Sequence, residues 1–449
     1  MGAVAARVQQ RIGTGNDRGE SVIRKLLILT VAAAPALAET RVSLIGGGNT
    51  VDDSQAQIES NVDWLQTIFR ERDIEARTYF GAGNTGEPDV AYLARPDEPG
   101  VRYRPHQLAD VSGSTRKPEL TEALRRDLAS LPPGDDALVI FNGHGGIDRA
   151  DTRNNYLKLW GDGQMTVGDL ESLLDAAPSG ARVRFVMAQC YSGAFADLIY
   201  DDPRAAGGFQ GNRCGFMSEA ADRLAEGCGL SLDETEFRDY TTYFFAALGG
   251  RTRAGQPIER RAVDRDRDGV VSFRESHFYA LLNAHSSDLS RSTSEQYLEE
   301  WSPWYLRWFW LAENGSSIYW SLAEELAQRY GWETEPMTLA VLRWQYGRAV
   351  DAADARRALA VEELRAIQEQ SAGEPADLEA DRELVERWRA VEAARRESRE
   401  ASRMLTQVEK INRLRQLARL ERALETYGSA EERGRYGELV QCEAGHLSP

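Results

Sequence analysis

The sequence lacks four features, and each absence excludes a class of protein. After residue 38 no apolar run approaches the ~18 residues that cross a membrane, so we expect no span in the mature chain. Acidic residues outnumber basic ones, 71 to 54, and the net charge of −17 argues against nucleic acids and anionic lipids as partners. Cys or His pairs at zinc spacing are missing around residues 137–193, and a complete G-x-G-x-x-G is missing after Gly46. These absences disfavour a zinc site and a nucleotide-binding Rossmann domain.

One apolar segment has the features of a targeting signal. Arg24 and Lys25 precede an apolar run over 26–34, and the small residues at positions 36 and 38 form a cleavage site. We therefore expect residues 1–38 to be a signal peptide, cleaved after Ala38, and the mature chain to be periplasmic or secreted. The polar stretch before Val22 is long for such a signal, so Val22 is an alternative start.

Two short apolar runs each end in a reactive side chain. Residues 137–141 lead into Asn-Gly-His144-Gly-Gly, and residues 183–187 lead into Ala-Gln-Cys190-Tyr-Ser-Gly. Such runs are typical of strands buried on both faces of a parallel sheet, and active sites lie at the carboxyl ends of those strands. We therefore expect His144 and Cys190 to lie side by side.

These motifs resemble those of the caspase and metacaspase group of cysteine peptidases, which is related to the legumain-like peptidases. The order of the His-Gly and Gln-Cys-x-Ser-Gly motifs and their separation fit that group. A looser similarity extends over residues 40–248. The resemblance implies an endopeptidase acting on proteins or peptides through a thioester, with Cys190 as nucleophile and His144 as general acid and base. It also implies an oxyanion hole made by the backbone amides of Gly145 and Cys190.

Other features of the cysteine motif bear on activity and specificity. The small residues after Cys190 predict a tight strand-to-helix turn, and a helix N-terminus there would favour the thiolate. Metacaspases have an acidic residue two places before the nucleophile to receive a basic substrate side chain, but this chain has Ala188. The cleavage preference therefore stays open. The alternative to an enzyme is an inactive, calcium-binding interaction protein with the same fold.

Residues 264–275 match the twelve-residue EF-hand calcium loop. Gly269 stands at the sharp turn of this pattern. No second copy occurs, and Gly255 and Pro257 leave little room for a long entering helix, so we expect a structural ion and not a switch. Loops outside the cytosol often bind calcium at about 0.1–1 mM. The predicted ligands are the carboxylates of Asp264, Asp266, Asp268 and Glu275, the carbonyl of Val270 and the hydroxyl of Ser272.

The sequence contains four cysteines, which export would place in an oxidising compartment. With Cys190 assigned to catalysis, Cys214 and Cys228 bracket a short segment. We predict a disulfide between these two, which leaves Cys442 either unpaired or linked to another molecule.

Alternation of predicted strands and helices indicates an α/β fold, with an open, mostly parallel sheet and helices on both faces. The resemblance implies a caspase-like version of this fold over residues 39–250, followed by an EF-hand-like region over 251–300. The chain is too long for one core, so two or three domains are expected. Strands are predicted at 41–45, 74–80, 137–141, 183–187 and 215–218, and helices at 55–72, 118–130, 167–176 and 240–248.

Residues 301–449 are predicted to be α-helical. The aromatic residues between positions 301 and 344 are expected to pack in a core, with a peptide- or glycan-binding surface as the alternative. From 340 to 427 the chain is charged and helix-prone, and it predicts a helical hairpin or coiled coil. Self-association, partner binding and autoinhibition stay open as its roles. Its apolar stripe comprises Met404, Val408, Ile411, Leu414, Leu417, Leu420 and Leu424.

Overall fold

A mostly parallel sheet lies at the centre of the fold. The computed structural model describes residues 39–94, 100–132, 134–302, 316–371 and 378–448. Within these ranges the sheet has seven strands, in the spatial order β7-β6-β5-β4-β1-β2-β3, and β7 alone is antiparallel to its neighbour. The strands are β1 (Thr40–Gly47), β2 (Ala76–Phe80), β3 (Val111–Gly113), β4 (Asp136–Gly143), β5 (Val183–Ala188), β6 (Arg213–Met217) and β7 (Arg291–Ser292).

Helices cover both faces of this sheet. Successive residues of a strand point to opposite faces. In β4, Leu138 and Ile140 pack with α1 (Ala56–Glu71) and α4 (Tyr240–Gly249) on one side, whereas Val139 and Phe141 pack with α2 (Lys117–Ala129) and α3 (Val167–Leu174) on the other. The predicted α/β class with an open, mostly parallel sheet is therefore confirmed. The helices between residues 39 and 302 are α1 (Ala56–Glu71), α2 (Lys117–Ala129), α3 (Val167–Leu174), α4 (Tyr240–Gly249), α5 (Phe273–Asn283) and α6 (Thr293–Trp301).

Smaller elements decorate the sheet. Val90–Leu93 and Val101–Arg104 form an antiparallel pair, as do Tyr200–Asp202 and Gly207–Phe209. Gly145–Gly146, which directly follows His144, pairs with Tyr156–Leu159, and that strand pairs with Gly163–Thr166. Short 3-10 helices span Thr152–Asn154, Ser192–Ile199, Glu234–Glu236 and Arg260–Ala262.

The C-terminal region from residue 316 is helical, as predicted, and it packs on the part of the chain that contains the sheet. Its helices are α7 (Ile318–Tyr330), α8 (Pro336–Ser371), α9 (Leu378–Tyr427) and α10 (Ala430–Glu443). Helices α8 and α9 lie against each other, with ion pairs from Arg356 to Glu397 and from Arg387 to Glu363. The apolar stripe of α9 from Val408 to Leu424 is buried against α5, α6, α7 and α10. This stripe is therefore covered by the chain itself.

Two predictions concern residues outside the described ranges. These are the signal peptide at 1–38 and the aromatic residues between 304 and 310. Of the other aromatic residues in this region, Tyr319 is buried in the core as expected, whereas Trp344 is exposed on α8. Among the described residues, no helix combines the length and apolar character that crossing a bilayer requires.

The predicted Cys214–Cys228 disulfide is wrong. Cys214 is bonded to Cys442 of α10, across a sequence separation of 228 residues, and Cys190 and Cys228 are free. Cys214 lies near the amino end of β6, opposite Arg184 at the start of β5. Cys228 instead lies beside Gly143, at the carboxyl end of β4. Closeness in sequence was misleading because the length of a strand separates the two thiols.

The last residues of the chain reinforce this link. The Thr40 amide of β1 donates to the Ser448 carbonyl at 2.9 Å, and the Phe273 amide of α5 donates to the Gly445 carbonyl at 2.8 Å. The buried Arg184 donates through Nε to the Cys442 carbonyl at 2.9 Å. The C-terminus is therefore part of the core that supports the sheet.

Candidate active site

His144 and Cys190 lie at the ends of neighbouring strands. Strands β4 and β5 run parallel, and Asn142 of β4 is paired with Ala188 of β5. Each candidate residue follows its paired residue by two positions, so both lie at the same edge of the sheet. Gly145 makes this approach very close, because a Cβ at that position would overlap the backbone carbonyl of Cys190.

A strained turn carries the chain past Cys190. Tyr191 has a left-handed backbone conformation with φ of 62°, which costs free energy for a residue other than glycine. Asn155 holds this turn, because its side-chain amide donates to the Tyr191 carbonyl at 3.2 Å and to the Ala221 carbonyl at 2.8 Å. A Cβ on Gly193 would collide with the backbone of Ala221. The chain then continues as the 3-10 helix Ser192–Ile199.

The segment 219–230, here called the covering loop, packs over the thiol. The Ala225 amide donates to Cys190 Sγ at 3.3 Å. Cys228, three residues further on, lies with its Sγ 4.0 Å from the Gly143 carbonyl oxygen. The second free thiol is therefore at the candidate site. Its sequence position alone had suggested a structural disulfide, and no motif marked it as a site residue.

The imidazole of His144 is held from another direction. Its Nε2 is 2.7 Å from Oε1 of Gln55, the residue directly before α1. Gln55 also donates through Nε2 to the Asp52 carbonyl at 3.3 Å. Sequence reasoning missed Gln55, since it lies 89 positions before the histidine and belongs to no recognised motif.

Burial sets the protonation of both groups. Desolvation raises the pKa of the Cys190 thiol above its ordinary value, and the hydrogen bond from the Ala225 amide opposes this only in part. Desolvation lowers the pKa of the His144 imidazole, although the nearby charge of Asp53 acts in the opposite direction. Within the described residues, no hydrogen bond joins thiol and imidazole. Burial therefore favours the neutral thiol and the neutral imidazole in the resting pair.

Helix α9 holds the covering loop in place. Arg223 of the loop pairs with Glu409 at 2.6 Å, and Arg403 pairs with Glu226 of the loop at 2.7 Å. The Glu226 amide also donates to the buried carboxylate of Asp288 at 2.7 Å. The distant C-terminal helix is therefore connected to the loop whose Ala225 amide contacts the Cys190 thiol.

The loop predicted to bind calcium contains two residues in left-handed backbone conformations. Arg267 and Gly269 have positive φ values of 64° and 89°. The Gly269 amide donates to Asp264 Oδ2 at 3.1 Å, and the Asp268 amide donates to Asp266 Oδ1 at 3.1 Å. Carboxylate oxygens of these three aspartates lie within 4.8 Å of one another, which is compatible with one cation.

Two further observations test the fit of a cation. Asp264 Oδ1 is buried and has no hydrogen-bond partner, which is costly for a carboxylate oxygen unless a cation or water meets it. Glu275 is the N3 residue of α5, and its Oε2 accepts from the amide and the hydroxyl of Ser272 at 3.0 and 2.9 Å. Its Oε1 accepts from the Arg265 amide at 2.6 Å. Glu275 therefore already closes the loop from its last position.

A second acidic cluster does not fit a cation as well. The carboxylates of Glu171, Asp175 and Asp201 also lie within 4.8 Å of one another. However, Arg213 pairs with both Glu171 and Asp175, and Gln210 donates to Asp201. A guanidinium therefore already supplies the positive charge in this cluster.

Comparisons with known proteins do not assign a family. No family model matches the chain, and no curated protein matches it. Among solved structures, protein GSU0716 from Geobacter sulfurreducens is similar over 57% of this chain and 92% of its own, with 13% identity and a TM-score of 0.34.

Proposed function

We propose that this chain is a cysteine endopeptidase, in which Cys190 is the nucleophile and His144 is the general acid and base. The observation that carries this proposal is the matched position of the two residues. Both stand two residues beyond the pair Asn142 and Ala188, at the carboxyl edge of a parallel sheet where such folds keep their sites. The close approach of Gly145 to the Cys190 carbonyl supports the proposal, because these two residues carry the predicted oxyanion amides.

The reaction follows from the chemistry of these groups. His144 takes the proton of the Cys190 thiol, and the thiolate attacks the carbonyl carbon of the scissile peptide bond. The backbone amides of Gly145 and Cys190 stabilise the oxyanion of the tetrahedral intermediate. The C–N bond then breaks, the imidazolium gives its proton to the leaving amine, and a thioester remains on Cys190. Water, deprotonated by His144, hydrolyses the thioester.

The protonation of the resting site adds a condition to this mechanism. Because burial raises the pKa of Cys190 and lowers that of His144, the thiolate form is scarce before substrate arrives. In the proposed cycle the proton moves only when a bound substrate lets the thiol and imidazole approach each other. Hydrogen bonds of this kind are often loose in the free enzyme.

Hydrolysis of peptides tests the proposal. Residues 39–449 would be incubated with a diverse fluorogenic peptide library, with calcium and with a chelator, and product termini would be identified by mass spectrometry. We expect cleavage of internal peptide bonds. The cleavage preference stays open, since Ala188 replaces the acidic residue that would select a basic side chain.

A catalytically silent interaction protein is the second candidate. The absence of a thiol–imidazole hydrogen bond in the described residues, together with the raised pKa of Cys190, favours this alternative. In that case the fold would be stabilised by calcium and the helical region would be the binding surface. No turnover of any library member by the folded wild-type chain would decide in its favour.

The loop 264–275 is proposed to bind one calcium ion. Oxygen ligands of this number and type suit calcium, and the unpaired Asp264 Oδ1 is the observation that supports a cation here. The ligands would be Asp264, Asp266, Asp268, Val270, Ser272 and Glu275. Since α5 leaves this loop and packs against α4 beneath the sheet, the ion is proposed to be structural.

Calcium should raise the unfolding temperature of the wild-type chain. A free calcium concentration about 100-fold above Kd adds about 2.7 kcal/mol to the free energy of unfolding. Glu275→Gln should abolish the rise. Asp264→Asn should abolish it too, without destabilising the calcium-free protein, because it removes a buried negative charge whose Oδ1 has no partner and keeps an oxygen that can accept from the Gly269 amide. Thermal melts in calcium and in chelator measure this.

The second acidic cluster supplies the matched control for calcium. Asp201→Asn removes a carboxylate of similar setting outside the proposed loop, so it should leave the calcium response unchanged. An equal calcium response in the wild type and in Glu275→Gln would place the ion elsewhere. No response in the wild type would contradict the proposed calcium site.

We also propose that the mature protein is exported, to the periplasm or the exterior of the cell. The observation in support is the disulfide between Cys214 and Cys442, since such bonds persist in oxidising compartments. N-terminal sequencing of the mature chain should find Glu39 as its first residue.

The C-terminal helices are proposed to regulate the site through the covering loop. The buried stripe of α9 leaves self-association less support than autoinhibition, because the chain already covers those residues. The contacts of Arg403 and Glu409 with the covering loop support autoinhibition. Deleting the helices would not test this cleanly, since they complete the core and carry Cys442.

A point variant distinguishes a helix α9 that inhibits the site from a helix α9 that holds the covering loop in its working position. If α9 restrains the covering loop, Arg403→Ala should release Glu226 and raise kcat/KM severalfold. If α9 instead holds the loop in its working position, the same variant should lower kcat/KM. Arg356→Ala, which breaks an exposed ion pair between α8 and α9, is the control and should change neither.

A further inference from the structure

Helix capping does not explain the presence of a glutamine at position 55. It is the N-cap residue of α1, where Ser, Thr, Asp and Asn are preferred because their short side chains accept from the first amides. The Gln55 side chain makes no such bond. It reaches instead to His144, with Oε1 2.7 Å from Nε2.

The amide group of Gln55 has a defined orientation. Its Nε2 donates to the Asp52 carbonyl, so Oε1 is the atom that faces the imidazole. Because an amide oxygen can only accept, this contact favours a proton on Nε2 of His144; the imidazole also has a hydrogen bond to the backbone of Asp53. A neutral imidazole then has its lone pair on Nδ1.

The backbone around Gln55 is fixed on two sides. Gln55 forms a parallel bridge with Ala91, and the Ala91 amide donates to the Ser54 carbonyl at 2.8 Å. Two residues later, Gln57 exchanges hydrogen bonds with Gly229 of the covering loop, through its amide and through its side-chain oxygen. The start of α1 thus holds both the histidine and the loop above the thiol.

We propose that Gln55 is the positioning residue of His144, which fixes the imidazole with its proton on Nε2 and leaves Nδ1 to take the Cys190 proton. This inference rests on the proposed function. The Cys190 thiol loses its proton to Nδ1, giving a thiolate and an imidazolium with a proton on each nitrogen. Gln55 accepts from Nε2–H before and after this step, and Nδ1–H later protonates the leaving amine. A group that holds an imidazole in one tautomer supports catalysis without touching substrate.

The tautomer and titration of His144 test the proposal directly. Nitrogen-15 NMR reports both, with the His144→Ala spectrum assigning the signal among the five histidines. In the wild type we expect the Nε2–H tautomer. In Gln55→Leu we expect a mixture of tautomers and a lower pKa, because an acceptor for the charged form is lost. In Gln55→Glu we expect a higher pKa, because a carboxylate favours the imidazolium.

The pH dependence of hydrolysis supplies a second measurement, and its expected shifts have the same directions as the shifts in the pKa of His144. The base form of His144 is neutral, so the acid limb of the kcat/KM profile follows its pKa. This limb should move to lower pH in Gln55→Leu and to higher pH in Gln55→Glu. We expect kcat to fall about 10- to 100-fold in Gln55→Leu, by analogy with other groups that orient histidines, and less in Gln55→Glu.

Gln66→Leu is the matched control. Gln66 lies on the same helix and is buried, and it donates to Thr78 and to the Ala109 carbonyl, not to a histidine. This variant should lower stability and leave the His144 tautomer and pH profile unchanged.

The outcomes separate this inference from the proposed function. An unchanged His144 tautomer and pKa in both Gln55 variants would overturn the positioning role, even with an active wild type. A changed tautomer and pKa in a chain without peptidase activity would support the role and refute the peptidase. If Gln55→Leu does not fold, the Gln55→Glu shift alone decides.

Discussion

Cys190→Ala should lower kcat/KM for peptide hydrolysis by about 10³-fold or more, because it removes the thiol that forms the proposed thioester. His144→Ala should cause a loss of the same order. The two residues act as one unit, so the double variant should be no worse than the single ones. Fluorogenic peptides from the library assay measure all three under identical conditions.

The control for these variants lies at the other end of the sheet. His446 is exposed, next to Gly445, which packs on Arg184 near the start of β5. His446→Ala should retain full activity. Activity that survives in Cys190→Ala would show that another group is the nucleophile. Activity that survives in His144→Ala alone would leave Cys190 in place and remove the histidine from the mechanism.

Loss of the Cys214–Cys442 disulfide should cause the largest fall in stability of any substitution considered. In the chain-entropy account, a bond that closes a loop of 228 residues contributes about 5 kcal/mol, as an upper value. Cys442→Ser should therefore lower the midpoint of denaturant unfolding strongly under non-reducing conditions. It should also loosen the contacts of Ser448 with β1 and of Gly445 with α5, which follow α10 in the chain and support the sheet.

Peptide mapping without reductant gives the second test of this bond. A cross-linked pair of peptides containing Cys214 and Cys442 is expected, and both Cys190 and Cys228 should be alkylated in the unfolded chain. A Cys214–Cys228 pair would contradict the structure. An unchanged unfolding midpoint in Cys442→Ser would show that the bond does not constrain the unfolded chain.

The sheet was predictable because its strands are buried on both faces. The run 137–141 is apolar at every position and the run 183–187 at every position except Arg184, and they became β4 and β5 with ends shifted by at most two residues. Strand β3 was missed because it has three residues at the sheet edge and only Val111 is buried. Strand β7 has two residues, which are too few to show the alternation of apolar and polar side chains that identifies a strand.

The candidate site was predictable only at His144 and Cys190, where a motif directly follows a predicted strand. The chain order placed His144 and Cys190 at the ends of neighbouring strands, and the register of β4 and β5 agrees. Gln55, Asn155 and Ala225 act through contacts between distant segments, and nothing in their local sequence signals this. Cys228 was misassigned for the same reason, since the distance along a chain does not give the distance across a fold.

Mechanism-based labelling tests the central claim most directly. Peptides with a carbonyl electrophile in place of the scissile bond would be incubated with the folded chain, and the modified residue would be identified by mass spectrometry. We predict that Cys190 reacts and Cys228 does not, that His144→Ala slows the reaction at least 100-fold, and that unfolding abolishes the selectivity. Modification of neither thiol in the folded chain, or equal modification of both, would contradict a catalytic Cys190.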